Sequence, residues 1–169
     1  MKKLIFILLL LPLFVQGQIV QWVLTTDGSP TILDGNITAG NLTSGSGVSS
    51  ITYSSNGASA SNWSMSGIDL NDYFEITVSP NTNYQINLTE INFGERRSLT
   101  GIHDFEVRYD KNSDFSTFTS IYTQTVPDVD TERSHQITGL NILINTGETL
   151  YIRFYGFNAE GTTGTWRIN

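Results

Sequence analysis

The chain contains no cysteine. Its absence excludes disulfide bonds, thiolate nucleophiles and thiolate metal sites, and it excludes a lipid anchor attached through cysteine. Exported proteins often use disulfides, but a domain of this length can bury enough apolar surface to fold without them. The lack of cysteine is therefore compatible with an exported, single-domain protein.

Basic residues and histidines are also scarce. The 169 residues include 9 Lys and Arg against 16 Asp and Glu, a formal net charge of -7. Nucleic acid binding depends on a basic footprint, so nucleic acid is not expected as a partner. His103 and His135 are the two histidines, and neither lies in a nucleophile elbow or a metal-ligand pair. Catalytic triads need such a histidine, and we predict that the domain is not an enzyme.

The N-terminus has the layout of a secretory signal peptide. Lys2 and Lys3 precede an apolar stretch from Leu4 to Val15, and Gly17 stands at a small-residue cleavage position. This stretch is shorter than the roughly 20 residues that a membrane-spanning helix needs. We therefore predict that residues 1–17 form a helical signal peptide that is removed, that the mature chain has no membrane span, and that it is secreted to the extracellular space or the cell surface.

The rest of the chain alternates apolar and polar residues with a period of two, which is typical of β-strands. Phe74, Ile76 and Val78 alternate with polar residues, and Ile152 and Phe154 repeat the pattern around Arg153. Turn residues recur about every 8 to 12 residues, as in sandwich domains. The pattern predicts one all-β domain, residues 18–169, folded as a two-sheet antiparallel β-sandwich of about eight or nine strands.

Two parts of the chain resemble a family of jelly-roll-like domains. The first part is Phe93–Gly101 followed by Phe105–Tyr109, and the second is Ile152–Ala159 followed by Gly164–Ile168. Both are similar to segments of domains found in secreted and surface proteins of Bacteroidetes and other environmental bacteria. The resemblance implies a jelly-roll-like sandwich and further domains in the same polypeptide, and it implies no particular function.

The resemblance also bears on the C-terminus. Asn169 stands where the family commonly has Asp, and the family's last strand usually continues beyond this position. We therefore expect the last strand to be truncated. This expectation supports an alternative to an independent module, namely that the chain is the N-terminal accessory domain of an exported enzyme whose catalytic domain lies beyond Asn169.

Three residues are candidates for ligand binding. A flat aromatic ring offers an apolar face to a pyranose, while neighbouring polar groups bind the hydroxyls. Trp63 follows a Ser-rich segment and Tyr155 points opposite to its apolar neighbours, so we expect both to be exposed. The guanidinium of Arg97 suits a carboxylate in a forked geometry. Polysaccharide or a cell-surface glycan is the expected partner. The alternative for the two aromatic residues is packing in the core or at an edge, and the alternative for Arg97 is an internal salt bridge.

Two acidic clusters are candidate calcium sites, because hard cations need several oxygen ligands. The second is not an EF-hand, since Phe115 stands where that loop needs glycine. Ordinary turns are the alternative for both, and no cofactor other than structural calcium is expected. The first cluster contains Asp69, Asn71 and Asp72, and the second contains Asp110, Asn112 and Asp114.

Taken together, these features predict a non-catalytic β-sandwich module of a secreted or cell-surface bacterial protein. Such a module serves as a spacer or as a binding or adhesion unit, with carbohydrate as the expected ligand class. Fold alone does not establish function. An exposed, coplanar pair of aromatic rings beside polar side chains would favour sugar binding, and a surface without such a pair would favour a spacer.

Overall fold

The computed structural model describes residues 17–169, so nearly all of the predicted signal peptide lies outside the described residues. The described part consists of strands and connecting segments, and none of it forms a helix able to cross a membrane. The predicted all-β class is confirmed. In chain order the strands are β1 (Val20–Trp22), β2 (Pro30–Ile32), β3 (Ile37–Ala39), β4 (Thr43–Ser44), β5 (Thr52–Ser54), β6 (Gly57–Ala60), β7 (Tyr73–Pro80), β8 (Ile86–Leu88), β9 (Ile91–Arg97), β10 (Asp104–Asp110), β11 (Thr119–Thr125), β12 (Arg133–Ile137), β13 (Ile142–Ile144), β14 (Leu150–Phe157) and β15 (Trp166–Ile168).

Most strands belong to two large antiparallel sheets. The front sheet has the order β11-β10-β14-β7-β3, and β4 also pairs with β7. The back sheet has the order β12-β9-β15-β6-β5. The remaining strands form two small sheets, in which β1 pairs with β2 and β8 pairs with β13. From β6 onward the chain crosses repeatedly between the two large sheets, which is the connection pattern of a jelly roll.

Aromatic rings fill the space between the two large sheets. Trp166 of the back sheet packs against Phe105 and Phe74 of the front sheet, with ring centroids 5.3 and 5.8 Å apart. Phe93 of the back sheet packs against Phe154 of the front sheet at 5.1 Å. Gly156 on β14 allows the Trp166 ring to lie close to the front sheet, because a Cβ atom at this position would be 3.1 Å from that ring. These contacts confirm the predicted two-sheet β-sandwich.

The structure has more strands than the eight or nine predicted, because several are only two to four residues long. The Ser- and Gly-rich segment 44–61 contains β5 and β6, although it has few large apolar residues. Ala58 and Ala60 are buried on β6, directly beside β15 in the back sheet. Small residues there carry a weak periodic signal, and the sequence pattern therefore underestimates the number of strands.

Candidate functional site

Trp63 lies in the core rather than on the surface. Only 1% of the residue is exposed, and its indole N–H donates a hydrogen bond to the carbonyl oxygen of Ala60 at 2.8 Å. The ring makes edge contacts with Phe74 and Trp166, at centroid distances of 5.0 and 5.2 Å. The expectation that Trp63 is exposed is wrong, because its ring packs between Phe74 of the front sheet and Trp166 of the back sheet.

Tyr155 lies on the outer side of the front sheet, as its phase relative to Phe154 predicts, yet only 1% of it is exposed. The ring of Phe115, from the loop between β10 and β11, lies 6.4 Å away, and the guanidinium of Arg108 lies 5.0 Å from the ring centroid. Burial raises the pKa of the Tyr155 hydroxyl. The expectation of exposure is wrong because a loop and a neighbouring side chain cover this residue.

Arg97 is completely buried at the end of β9. Its guanidinium donates to the carbonyl oxygens of Ser98 and Leu99, at 3.0 and 2.8 Å. It also lies 3.3 Å from the carboxylate of Asp128 and 3.2 Å from that of Glu160. These contacts favour the alternative of an internal salt bridge. Trp63, Arg97 and Tyr155 therefore occupy three separate environments and do not form one site.

The second acidic cluster makes a turn. Asp110 is buried, and its two carboxylate oxygens accept the backbone N–H groups of Asn112 at 2.9 Å and Thr117 at 2.8 Å. Asp114 accepts the backbone N–H of Ser116 at 3.1 Å. These oxygens already have donors from the loop between β10 and β11, which is the bonding expected of turn-forming Asp residues.

The first acidic cluster is arranged in the same way. Asp69 accepts the backbone N–H of Asn71 at 2.9 Å, and Asn71 also turns its side-chain amide N–H toward that carboxylate. Asp72 is buried, and burial together with the charge of Asp69 raises its pKa. Nowhere in residues 17–169 do three Asp, Glu or His side chains converge as metal ligands. The bonding of both clusters is that of ordinary turns, and calcium remains a prediction of the sequence.

The bonding of Asp110 predicts a pH-dependent loss of stability in Asp110→Asn. Burial alone would raise the pKa of this carboxyl, but the N–H groups of Asn112 and Thr117 donate to it and hold its pKa below the ordinary value. The side-chain amide of asparagine has an acceptor oxygen at one position and a donor NH2 group at the other, so it cannot replace both carboxylate oxygens. We therefore expect the free energy of unfolding to fall by about 1–3 kcal/mol at pH 7.

The pKa of Asp110 is lower in the folded than in the unfolded state. Its ionised carboxylate therefore stabilises the folded protein fully above the unfolded pKa of about 3.9, and this stabilisation is lost as the pH falls from there through the folded-state pKa. Urea unfolding of wild type and Asp110→Asn at pH 7 and pH 3 measures this, and the difference should shrink in acid. Asp114→Asn is the control, since its exposed carboxylate accepts one backbone bond, and it should change stability less. A difference independent of pH would contradict the assignment.

The outer side of the front sheet carries two rows of charged and aromatic side chains. In one row Glu106 on β10 lies opposite Tyr155 on β14, and Tyr155 lies opposite Tyr73 on β7. In the next row Arg108, Arg153 and Glu75 follow the same order across the three strands. We call this surface the front face, and its members are Tyr73, Glu75, Glu106, Arg108, Arg153 and Tyr155, with Phe115 and Phe118 from the loop between β10 and β11.

Ion pairs hold the charged side chains of the front face. Arg108 forms a forked pair with Glu106, with N···O distances of 2.8 and 3.0 Å. Arg153 pairs with Glu75 at 2.6 Å and donates to the main-chain oxygen of Ser113 at 3.1 Å. The hydrogen bonds from Arg108 lower the pKa of Glu106. Both carboxylates are therefore fixed in orientation by their arginine partners.

Each guanidinium of the front face also lies against two rings. Arg108 is 4.2 Å from the ring centroid of Phe118 and 5.0 Å from that of Tyr155. Arg153 is 4.1 Å from Tyr73 and 3.9 Å from Phe115. Such contacts are attractive because the ring face is electron-rich. The loop between β10 and β11 is thus held against the sheet by its two Phe residues.

The backbone of this loop shows how firmly it is held. Phe115 has a φ of 54°, in the left-handed region that non-glycine residues rarely adopt. Such a conformation persists only where surrounding contacts require it, and here the Phe115 ring is buried against Arg153 and Tyr155. Phe118, in contrast, is 44% exposed. The loop therefore covers the middle of the front face and leaves one ring open at its edge.

The front face does not contain the coplanar aromatic pair that would identify a flat sugar platform. The rings of Tyr73 and Tyr155 are inclined at 60°, and Tyr155 is buried. What the face offers is a set of oriented charged groups beside the open ring of Phe118. Sequence reasoning missed this set. The signal was present in the pairs Glu106 with Arg108 and Arg153 with Tyr155, which are spaced to point outward together from one strand.

The two histidines contact charged or aromatic groups. His103 contacts the carboxylate of Glu160, and its other ring nitrogen lies 3.4 Å from Arg97. His135 lies 3.1 Å from the hydroxyl of Tyr122 and 3.3 Å from the carboxylate of Glu95. Neither imidazole is hydrogen-bonded to a serine or threonine hydroxyl in the part of the chain described.

No protein-family model matches the chain, and no curated protein is similar to it in sequence. Among solved structures it is similar to carbohydrate-binding modules of family 29. One such module aligns with a TM-score of 0.47 and 13% identity, over 89% of this chain and 82% of that chain.

Two further structures are variants of the family 29 module CBM29-2. The first aligns with a TM-score of 0.48 and 10% identity, over 89% of this chain and 87% of the other. The second, complexed with cellulohexaose, aligns with a TM-score of 0.47 and 12% identity, over 89% and 86% of the two chains. The sandwich fold of this protein is established by its own strand pairing and core.

Proposed function

We propose that this domain is a non-catalytic β-sandwich module that binds carbohydrate through its front face, as part of a secreted or cell-surface bacterial protein. One observation carries the proposal. The outward ion pair of Glu106 and Arg108, whose side chains are 13% and 11% exposed, lies directly beside the 44%-exposed ring of Phe118. Protein sites for small polar ligands combine apolar contact surface with a few oriented polar groups, and this edge of the front face has both.

The chemistry of each group suits a sugar. A carboxylate accepts hydrogen bonds from hydroxyls, a guanidinium donates them, and charged partners make the stronger bonds. The ring of Phe118 offers an apolar contact for the C–H face of a pyranose. Because Arg108 and Glu106 already hold each other in place, a ligand would bind them with little further loss of side-chain freedom.

Phe118→Ala tests the proposal directly. Purified residues 18–169 are applied to a panel of insoluble polysaccharides and to a glycan array, and the affinity for any retained glycan is then measured by calorimetry. We expect Phe118→Ala to weaken binding at least about tenfold, which corresponds to about 1.4 kcal/mol of lost contact. The variant should remain folded, because the exposed ring of Phe118 contributes little to the core.

Tyr84→Ala is the matched control. Tyr84 is 48% exposed, a fraction similar to the 44% of Phe118. It lies in the turn between β7 and β8, away from the front face. Its removal should leave glycan affinity unchanged. Circular dichroism confirms that each variant is folded. Equal weakening by both substitutions, or retention that survives Phe118→Ala undiminished, would place binding elsewhere and sink the proposed site.

A spacer role is the second candidate, and one observation favours it. The coplanar, exposed ring pair expected of a sugar platform is not found on the front face, where Tyr155 is buried. If the folded wild-type domain is retained on no polysaccharide, the spacer role replaces carbohydrate binding. A module of either kind could also serve as the accessory domain of an exported enzyme, an alternative that the coding sequence downstream of Asn169 would test.

A further inference from the structure

A polar cleft lies on the outer side of the back sheet, on the opposite side of the sandwich from the front face. Its volume is about 210 Å³. We call it the back cleft. Besides the buried Arg97, it is lined by Asn56, Arg96, Ser98, Asp130, Thr165 and Arg167.

Two arginines lie side by side in the back cleft. Arg96 on β9 and Arg167 on β15 are direct partners across the sheet. Both point outward, because Trp166 and Ile168 on either side of Arg167 are buried in the core. Like charges directly opposite each other on neighbouring strands repel. The pair is therefore unfavourable unless negative charge lies close to both.

Only one of these arginines has an ion pair. Arg96 binds Asp130 at 2.5 Å. Within residues 17–169, Arg167 has no carboxylate at ion-pair distance, and its Nε atom is buried without a hydrogen-bond partner. A buried, unsatisfied donor is costly and rare in folded proteins. Among the described residues, Arg167 thus has no ion pair of its own, and its Nε–H donor is unsatisfied. The nearby carboxylate of Asp130 is bonded to Arg96, and the charges of Arg96 and then of Arg167 help to lower its pKa.

The rest of the lining is polar and small. The hydroxyl of Ser98 accepts the backbone N–H of Thr165 at 2.9 Å, which leaves its own proton to donate into the cleft. Asn56 and Thr165 add an amide and a second hydroxyl. The lining contains no large apolar side chain. These groups match a ligand that carries several hydroxyls around a negative charge, and they do not match an aliphatic peptide segment.

We propose that the back cleft binds the carboxylate of a uronic acid residue in an acidic glycan. The planar guanidinium of Arg167 takes the carboxylate, a geometry for which arginine is suited. Asn56, Ser98 and Thr165 bind the sugar hydroxyls. The choice of a glycan rests on the proposed function, but the surface is a different one. The carboxylate of Asp130 already pairs with Arg96. It therefore repels the carboxylate of a ligand that enters the back cleft.

Titration with trigalacturonate tests this site, with cellotriose as the neutral control. We expect the wild-type domain to bind trigalacturonate more tightly than cellotriose, and the affinity to fall as sodium chloride is raised, since salt screens exposed charges. Arg167→Gln should weaken trigalacturonate binding at least tenfold. Arg167→Lys keeps the charge but loses the fork, and it should recover only part of the affinity. Asp130→Asn should strengthen binding, because the competing carboxylate is gone.

The variants separate this site from the front face. Phe118→Ala should leave trigalacturonate affinity unchanged, so failure of the front-face proposal would not remove this one. Three results would overturn it: full affinity in Arg167→Gln, binding of cellotriose as tight as that of trigalacturonate, or binding of triglutamate as tight as that of trigalacturonate. The last result would mean a carboxylate-binding site for acidic peptides. Circular dichroism of each variant excludes loss of folding as the cause of weaker binding.

Discussion

Glu95→Ala should lower the free energy of unfolding by about 3–5 kcal/mol, the cost expected when one partner of a buried ion pair is removed. Glu95 is 1% exposed in the middle of the back sheet. Its carboxylate receives a forked pair from Arg133, with the longer N···O distance 3.1 Å, and accepts the indole N–H of Trp166 at 3.2 Å. His135 lies 3.3 Å from it. Alanine would leave the indole N–H of Trp166 without its acceptor and Arg133 without the carboxylate that balances its charge.

Chemical denaturation of wild type and variant measures this loss. Glu95→Gln is the conservative comparison, because its amide oxygen still accepts from Trp166 or Arg133 but cannot neutralise Arg133, and it should fall between wild type and Glu95→Ala. Glu132→Ala removes an exposed carboxylate just before β12 and should have little effect. In a double-mutant cycle with Arg133→Met, we expect the two losses to be clearly non-additive. Additive losses would mean that Glu95 and Arg133 do not act as a pair.

Trp63→Ala should cost about 3–5 kcal/mol, the range for removing a large aromatic side chain from a packed core. Trp63 lies in edge contact with Phe74 of the front sheet and Trp166 of the back sheet, so its ring joins the two layers. At about 2–4 °C per kcal/mol for a domain of this size, the melting temperature should fall by roughly 6 to 20 °C. The hydrogen bond to Ala60 is lost as well.

This experiment also separates the core assignment from the sugar-binding role that the sequence suggests. Trp63→Phe keeps much of the ring volume and should lose less stability than Trp63→Ala. Both variants should bind glycans normally wherever they remain folded. Tyr84→Ala, which removes an exposed ring, serves again as the control and should melt close to wild type. Unchanged stability of Trp63→Ala together with lost glycan binding would contradict the burial of this residue.

The sequence predicts which strand residues face the core. Phe74, Ile76 and Val78 alternate with polar residues and are buried, as their period of two requires. The same phase places Tyr155 correctly on the outer side of the front sheet. Whether an outward residue is exposed is another matter, since that depends on what else folds over it. Phe115, which covers Tyr155, lies 40 positions earlier in the chain, and no local pattern connects the two.

The candidate sites show the same division. Charged and aromatic residues at alternate positions of β10 and β14 are visible in the sequence. Their meeting depends on the register that sets Arg108 opposite Arg153 and Glu106 opposite Tyr155. The back cleft depends likewise on the pairing of β9 with β15, which brings Arg96 beside Arg167. Each pairing joins segments that are distant in the chain, and short-range periodicity contains no information on which strands become neighbours.

By itself, the sequence of this protein determined its all-β class, its inward-facing residues, its shortage of positive charge and its lack of cysteine chemistry. These properties follow from composition and from a repeat of two residues, both of which are local. Only the tertiary structure decided that Trp63, Arg97 and Tyr155 are buried, that Arg108 lies opposite Arg153 and that Arg96 lies opposite Arg167. Burial and juxtaposition are set by strand order, register and loop cover, which arise from contacts between distant parts of the chain.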